Sequence, residues 1–385
     1  MTNHPPLIIN QRLASDLRSM QAAETGDEAA RQTLGRLLQS AICLEFATIP
    51  TYLSAAFSLG PDNQSITDLI RRVAREEMLH LTTIANLMNA IGVSPDIVAA
   101  VPKYPYTLDL LATPLTLELR SFSLDLVENL FMRIEAPEHP IVFPARILSL
   151  VRDPPTTVGL FYAHIIEIIK DPKMANLFSN AERDVYKQVT VDPNFTPIAY
   201  KSDQDTQNYP LGTGFDFLIK DPPTAVQYLS WLVGEGEGAS PYDPTTAEGL
   251  PGHFYRFESI LKGKYLVKDA SVQPGFSYSG GDLVFTPTSV TEFAPNAKAE
   301  DYSSQPELKL RMDRFNDTYT TMVNALQSAF NCPSPDQQNK SKSDFETAIS
   351  SMRRMTNLAS AIMQKAKDLG VKAGAPFEYG GRPTS

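Results

Sequence analysis

The chain has 385 residues, 42% hydrophobic and 20% charged, which excludes a disordered polypeptide and supplies a sizeable core for one large domain or two. With 34 Lys+Arg against 44 Asp+Glu the net charge is -10, the wrong sign for neutralising phosphates, so nucleic acid is not an expected partner. No run approaches the roughly 18 consecutive apolar residues of a membrane helix, and the first residues lack a basic segment followed by an apolar one. Cys43 and Cys332 fit neither a disulfide framework nor a CxxC zinc spacing, and a cytoplasmic protein without a membrane partner is the default expectation.

Residues 1–28 read as an N-terminal extension. Over about 29–59 apolar residues recur at helical spacing, GPDNQS supplies a turn, and a second run covers about 66–91, which predicts two long antiparallel helices. The proline-rich stretch VPKYPYTLDLLATPLTLEL is too irregular for one element and too long for a hairpin loop, and is expected to carry the chain across the bundle. A short helix is predicted around 124–134, a third long helix after Asp153-Pro154-Pro155 to about Lys170, and a fourth after Asp221-Pro222-Pro223, since proline is tolerated in a first turn.

Between Tyr265 and Leu308 the composition shifts, as in FSYSGGDLVFTPTSV, and predicts a long extended loop or small hairpin, the one β element expected. Two further helices follow, about 307–330 and 344–366, ahead of a tail, GAPFEYGGRPTS, that reads as loose. The expected organisation is mainly α: a helical bundle over 29–264, the extended segment over 265–306, a C-terminal helical pair over 307–370 packing on the bundle, and the tail over 371–385.

Certain carboxylates fall where core residues belong. Glu45 has Leu38, Ala41, Ile42, Thr48, Ile49 and Tyr52 as its helical neighbours, so it lies inside an apolar stripe, where a bare carboxylate costs several kcal/mol. Glu77 repeats the pattern among Ile70, Val73, Ala74, Leu81 and Ile84, with His80 three residues on. At that spacing carboxylate and imidazole leave one face of a helix by adjacent turns, so both can reach one cation, or one can bridge to a second. An ExxH alone is common by chance; its pairing with an inward Glu45 on the preceding helix is what points to metal. Glu76 and Arg75 turn about a hundred degrees to either side and read as a solvated pair or as partners behind the ligands.

The bundle template asks for another Glu from the third helix and another ExxH from the fourth, and the sequence has no second ExxH. In LFYAHIIEIIKD the candidate is Glu167, whose stripe a solvent-facing surface would equally explain. In AVQYLSWLVGEGEGA, Glu235 and Glu237 point about 200° apart on a regular helix, so only one can turn inward, and periodicity does not choose. The glycines between them read either as a C-terminal stop or as a close approach of backbone to a ligand. His253 could supply the missing imidazole or be a satisfied core histidine; His4 and His139 are set aside. No GxGxxG, GxxxxGK[ST] or GxSxG in a strand–turn–helix context is present, and Met352, Met355, Met363, Phe315 and Tyr319 read as core filling.

The runs LEFATIPTYLSAAFSL, VAREEMLHLTTIANLMNAIGVSP, FMRIEAPE, GLFYAHI, LVGEGEGA and HFYRF, in this order, resemble the ferritin-like domain family named after the iminophenyl-pyruvate dimer synthases of violacein and indolocarbazole biosynthesis. The resemblance covers roughly 34–261, and the C-terminal helices look like those of its stand-alone members. It implies a ferritin-like four-helix bundle with a long crossover and extra C-terminal helices, Glu45, Glu77 and His80 as metal ligands, Glu237 rather than Glu235, and a ligand role for His253. One departure concerns the third helix: the family often reads G-E-F-Y where this chain has Gly159-Leu160-Phe161-Tyr162, so that acid is absent or supplied by Glu167 or Glu135. A second is length, since the dimer synthases are much longer and their coupling reaction transfers poorly.

The function expected is that of an oxidoreductase in which a dinuclear iron centre, with manganese as the alternative, activates dioxygen to oxidise a small organic metabolite, amino-acid-derived compounds included. Tyr52 and Tyr162 are the expected hydrogen-bonding partners behind the ligands. The competing expectations are a non-enzymatic ferritin-like metal-binding or scaffold protein and an imine dimer-coupling step in pigment-like biosynthesis.

Overall fold

The structure is a computed structural model that describes residues 8–22, 28–137, 158–191, 216–237, 243–246 and 249–381. The N-terminal extension contains a helix that the sequence reading missed, α1 (Gln11–Ala22). Asn10 caps it by accepting from the Leu13 amide at 2.9 Å, and Leu13, Leu17 and Met20 bury its inner face against the long helix that follows.

Helices α2 (Glu28–Ser58) and α3 (Gln64–Ala90) are the predicted antiparallel pair, joined by a tight turn at Pro61–Asn63. By length and composition α2 is apolar enough to cross a membrane, but most of that window is buried inside the fold. A helix apolar nearly all round needs cover on every side, which α1, α3 and the C-terminal helices provide. Pro50 sits within α2, where it withholds one backbone N–H; the nearby Ala47 carbonyl accepts from the Tyr104 hydroxyl at 2.6 Å.

The crossing segment contains a two-stranded antiparallel hairpin, β1 (Tyr106–Thr107) with β2 (Thr116–Leu117), in the register Tyr106↔Leu117. The sequence assigned no element here because strands of two residues are too short for alternation to show. The helix predicted at 124–134 is continuous but not uniform: α4 (Leu124–Leu126) widens into a π-helical turn, Val127–Phe131, and closes as α5 (Met132–Ile134).

Helices α6 (Val158–Lys170) and α7 (Pro222–Glu237) form the second antiparallel pair, and α7 lies against α3. Asp221 caps α7 by accepting from the Thr224 amide at 2.8 Å, while Asp153-Pro154-Pro155 lies outside the described residues. The short α8 (His253–Lys262) docks on α3 and on the π turn. The expected hairpin follows as β3 (Val267–Lys268) with β4 (Phe276–Ser277).

α9 (Pro306–Ala329) and α10 (Gln338–Asp368) pack antiparallel on each other, and α10 reaches α2. The fold is mainly α: two helix pairs arranged as a ferritin-like bundle, with the C-terminal pair added on one side. As far as residue 381, where the described residues end, the tail is not loose. Ala373, Ala375 and Phe377 are buried, and Phe377 meets the Phe315 and Tyr319 rings edge-on at 4.9 and 5.4 Å. Glu378 fixes its end by accepting from the Ala299 amide at 3.0 Å and from Asn316 Nδ2 at 2.9 Å.

Candidate metal centre

The inward faces of α2 and α3 set Glu45 against Glu77 and His80, all three buried, with one donor atom of each within 4.8 Å of the others. His80 Nδ1 lies 3.1 Å from Glu77 Oε2 and 3.6 Å from Glu45 Oε2. Glu77, Glu135 and His253 form a second grouping of the same tightness. Here His253 Nδ1 is 2.9 Å from Glu77 Oε1 and 3.3 Å from Glu135 Oε2. Glu77 therefore belongs to both groupings and turns one oxygen to each imidazole, and the two rings lie face to face at 5.6 Å.

Glu135 stands just beyond the π turn and α5. The turn carries Phe131 onto the Tyr52 ring, centroids 4.8 Å apart, and the Tyr52 hydroxyl donates to Glu135 Oε1. From the third bundle helix the contribution is Tyr162, whose hydroxyl donates to Glu45 Oε1. Both tyrosines thus stand behind carboxylates, and Glu135 brings the third carboxylate to the site. Glu167 is corrected: its side chain is 65% exposed on the outer face of α6, its Oε1 2.8 Å from Lys170 Nζ, so it does not reach the site.

Of the two readings of Glu76, the structure gives the partner behind the ligands, for it is buried rather than solvated. It accepts from Arg72 Nε at 3.1 Å, from His253 Nε2 at 3.0 Å and from Arg256. Arg256 carries its other nitrogen to Glu235 Oε2 at 3.2 Å. Glu235 thus turns inward, but onto a guanidinium. Donors of Glu76, Glu235 and His253 also lie within 4.8 Å of one another, yet Arg256 already engages both carboxylates, so this third grouping is an ion-pair cluster behind His253. Glu237 ends α7, and its side chain lies outside the described residues, as does His139. The Arg256 cluster carried no signal in the sequence, because its members come from three helices far apart in the chain.

The electrostatics follow from burying several carboxylates around two imidazoles. Burial, and then the Glu77 charge, pushes Glu45 up to about 7. Burial and Glu135 act upward on Glu77 too, but His80 and His253 outweigh them and hold it below the usual carboxylate range. Burial disfavours a charged imidazole, yet the facing carboxylates, Glu77 first, push His80 up to about 10 and His253 well above its ordinary value. Burial opposes ionisation of Glu76 as well, and Arg256, His253 and Arg72 overcome it. Tyr52 and Tyr162 are driven far up, by burial first and then by Glu135 and Glu45 respectively, and so remain hydrogen-bond donors.

These residues fit a dinuclear metal centre. His253 commits Nε2 to Glu76, which leaves Nδ1 directed at Glu77 and Glu135. Nδ1 and Glu77 Oε1 face each other at 2.9 Å, yet neither has a hydrogen-bond partner among the described residues. Buried polar atoms are ordinarily satisfied, and a nitrogen and an oxygen left in this way are what a cation would join. Three carboxylates and two imidazoles suit Fe(II) and Mn(II). A cavity of 70 Å³ opens among Glu45, Glu77, His80, Glu135 and Tyr162, with Leu44, Ile134, Val158 and Leu232 in its walls.

Residues 38–262 match a family model described as Ferritin-like. Among solved structures, a ferritin-like protein from Caulobacter vibrioides is similar at 19% identity, over 82% of this chain and 94% of that one, with a TM-score of 0.39. No curated protein sequence matches. The family match spans more than half of the chain and includes Glu45, Glu77, His80, Glu135 and His253; the chain belongs to the ferritin-like family.

Proposed function

We propose that the protein is a dimetal oxidoreductase, with iron as the resident metal and manganese as the alternative, that uses dioxygen to oxidise a small organic molecule. The observation that carries this reading is Glu77, which offers one oxygen to each of two imidazole-containing groupings. Glu45 and His80 would hold one ion, Glu135 and His253 the other, and Glu77 would bridge them. Bound iron would supply the electrons for reducing dioxygen.

The chain's own part is to hold this donor set in place. Tyr162 and Tyr52 each donate a hydrogen bond to one oxygen, of Glu45 and of Glu135 respectively, so that the other oxygen of each carboxylate faces the imidazoles. Glu76 fixes the tautomer of His253, and Arg256 balances the charge of Glu76. The cavity is small and mostly apolar in lining, which suits dioxygen and keeps bulk water from the donors. The narrower reading, an amino-acid-derived substrate or imine coupling as in the iminophenyl-pyruvate dimer synthases, rests on the resemblance of the sequence motifs. A bare scaffold is disfavoured by three carboxylates and two imidazoles buried together at high desolvation cost.

The deciding experiment is elemental analysis after anaerobic Fe(II) loading. Wild type should hold about two iron per chain and Glu77→Ala none, with one lost in each of Glu45→Ala and Glu135→Ala. Absence of stoichiometric iron or manganese in the folded wild type would overturn the proposal. Oxygen uptake by the loaded protein in the presence of reductant then tests the redox assignment.

A further inference from the structure

A second and larger cavity, 440 Å³, lies between α2/α3 and the C-terminal pair α9/α10. No residue lines both this cavity and the one at the metal centre. On α3, Arg71, Arg75, Met78, Leu79 and Thr82 share the side opposite Glu77 and His80, so the body of that helix separates the two. The volume is within the range of small-molecule sites, ~300–1,000 Å³.

The lining is graded along its length. At one end Leu79 and Val191 cluster with Phe345, giving an apolar floor. From there α3 runs back to Arg75 and Arg71, while α10 runs forward to Arg353, Thr356 and Asn357, about 12 and 18 Å away at 1.5 Å per residue. Arg353 and Asn357 are exposed, so this end opens to solvent, and Arg71 and Arg75 are half-buried beside it. In a chain of net charge -10 the cavity has three guanidiniums and no carboxylate in its walls. Asp68, an α3 acid on which the Arg71 and Arg75 charges act, does not line it.

The second observation is Tyr319. It is 1% exposed, it lines this cavity, and its hydroxyl has no hydrogen-bond partner among the described residues. Phe46 and Phe377 pack on its ring, and an acceptor inside the cavity would satisfy its buried hydroxyl. Met78, Met322, Met352 and Met355 form much of the remaining wall, and unbranched thioethers adapt to an extended, flexible guest.

We propose that this cavity binds an anionic amphiphile, a single carboxylate on an elongated apolar body, with the carboxylate among Arg71, Arg75, Arg353 and Tyr319 and the apolar body directed toward Leu79 and Phe345. A guanidinium pairs with a carboxylate bidentately, and the graded lining fixes the direction of entry. The site is distinct from the metal centre and does not depend on it.

Isothermal titration of the full chain with decanoate, and with decan-1-ol as its neutral counterpart, tests the assignment. Wild type should bind decanoate at one per chain, and Met352→Trp, which fills the cavity, should abolish binding of both probes. Tyr319→Phe and the combined Arg71→Gln/Arg75→Gln/Arg353→Gln should weaken decanoate about tenfold or more, while leaving decan-1-ol within about twofold. Arg353→Gln alone, at an exposed position, provides a variant that folds and should still weaken decanoate selectively. No binding of decanoate by wild type, affinity for it unchanged across all of these variants, or tighter binding of the alcohol than of the acid would overturn the proposal.

Discussion

Replacing Arg256 by methionine removes the guanidinium that joins Glu76 to Glu235 while keeping most of the apolar stem. The three side chains are 7, 2 and 5% exposed, so both carboxylates stay in a low-dielectric setting when the cation goes. Breaking a buried pair from one side costs about 3–5 kcal/mol, chiefly through the charge left behind. Arg72 and His253 still reach Glu76, and Glu235 can take up a proton, so a loss near 3 kcal/mol is expected. Equilibrium urea unfolding of the metal-free protein measures it; with a slope of about 3 kcal/mol/M the midpoint should fall by about 1 M. The control is Arg256→Met/Glu76→Gln/Glu235→Gln, in which no buried charge is stranded and most of the loss should return. Equal destabilisation of the single and triple variants would refute the reasoning, since the loss would then belong to packing.

Glu76→Gln should weaken metal binding about 10–100-fold without removing a ligand, because it loosens the tautomer and orientation of His253, whereas Glu167→Gln should leave metal binding unchanged; competition with a chelator measures both. Phe377→Ala should cost about 3–5 kcal/mol in urea unfolding, since its ring fills the space between Phe57, Phe315 and Tyr319; a loss under 1 kcal/mol would mean the tail is dispensable. Metal should protect the fold more as pH rises. His80 is raised from an ordinary 6.5 to about 10 and Glu45 from 4.5 to about 7, so the folded metal-free chain holds more protons than the unfolded one across this window and loses stability as pH increases. Bound metal takes the place of those protons, so the gap in melting temperature between loaded and metal-free protein should widen from pH 6 to pH 9; a constant or narrowing gap would contradict it.

What the sequence revealed of the site follows the reach of helical periodicity. Glu45, Glu77 and His80 have regular helix on both sides, so the apolar neighbours at three, four and seven residues marked them as inward without any tertiary information. Glu167 shares a stripe with His164 and Lys170, which left a solvent-facing surface open as the alternative, and the structure gives that one, with Glu167 paired to an exposed Lys170. Glu235 was also legible as one of two alternating acids, but that its partner is Arg256 depended on how α8 docks, which no local pattern encodes. The loose reading of the tail failed similarly: Phe377 stands in a short Gly- and Pro-rich stretch with no helical or strand periodicity, and its value comes from a space shaped by α2 and α9.

The two donors hardest to read, Glu135 and His253, sit where periodicity stops. Glu135 follows a π-helical turn, which shifts the register of the facing side chains by one residue, and His253 is the first residue of α8, with Gly252 in extended backbone before it. Each has helical neighbours on one side only, so half of the stripe that would have marked it as inward is missing. The second half of the centre is therefore built differently from the first. A long helix pair fixes Glu45, Glu77 and His80 through its own regularity, whereas Glu135 and His253 depend on the packing of the π turn against α8, with Phe131 set between the Tyr52 and Phe257 rings. Errors in that packing move Glu135 and His253 together and leave Glu45 and His80 in place. The metal position shared by Glu135 and His253 is accordingly the one that Phe131→Ala should empty first, with the other retained, and loss of both ions together would count against two separately supported halves.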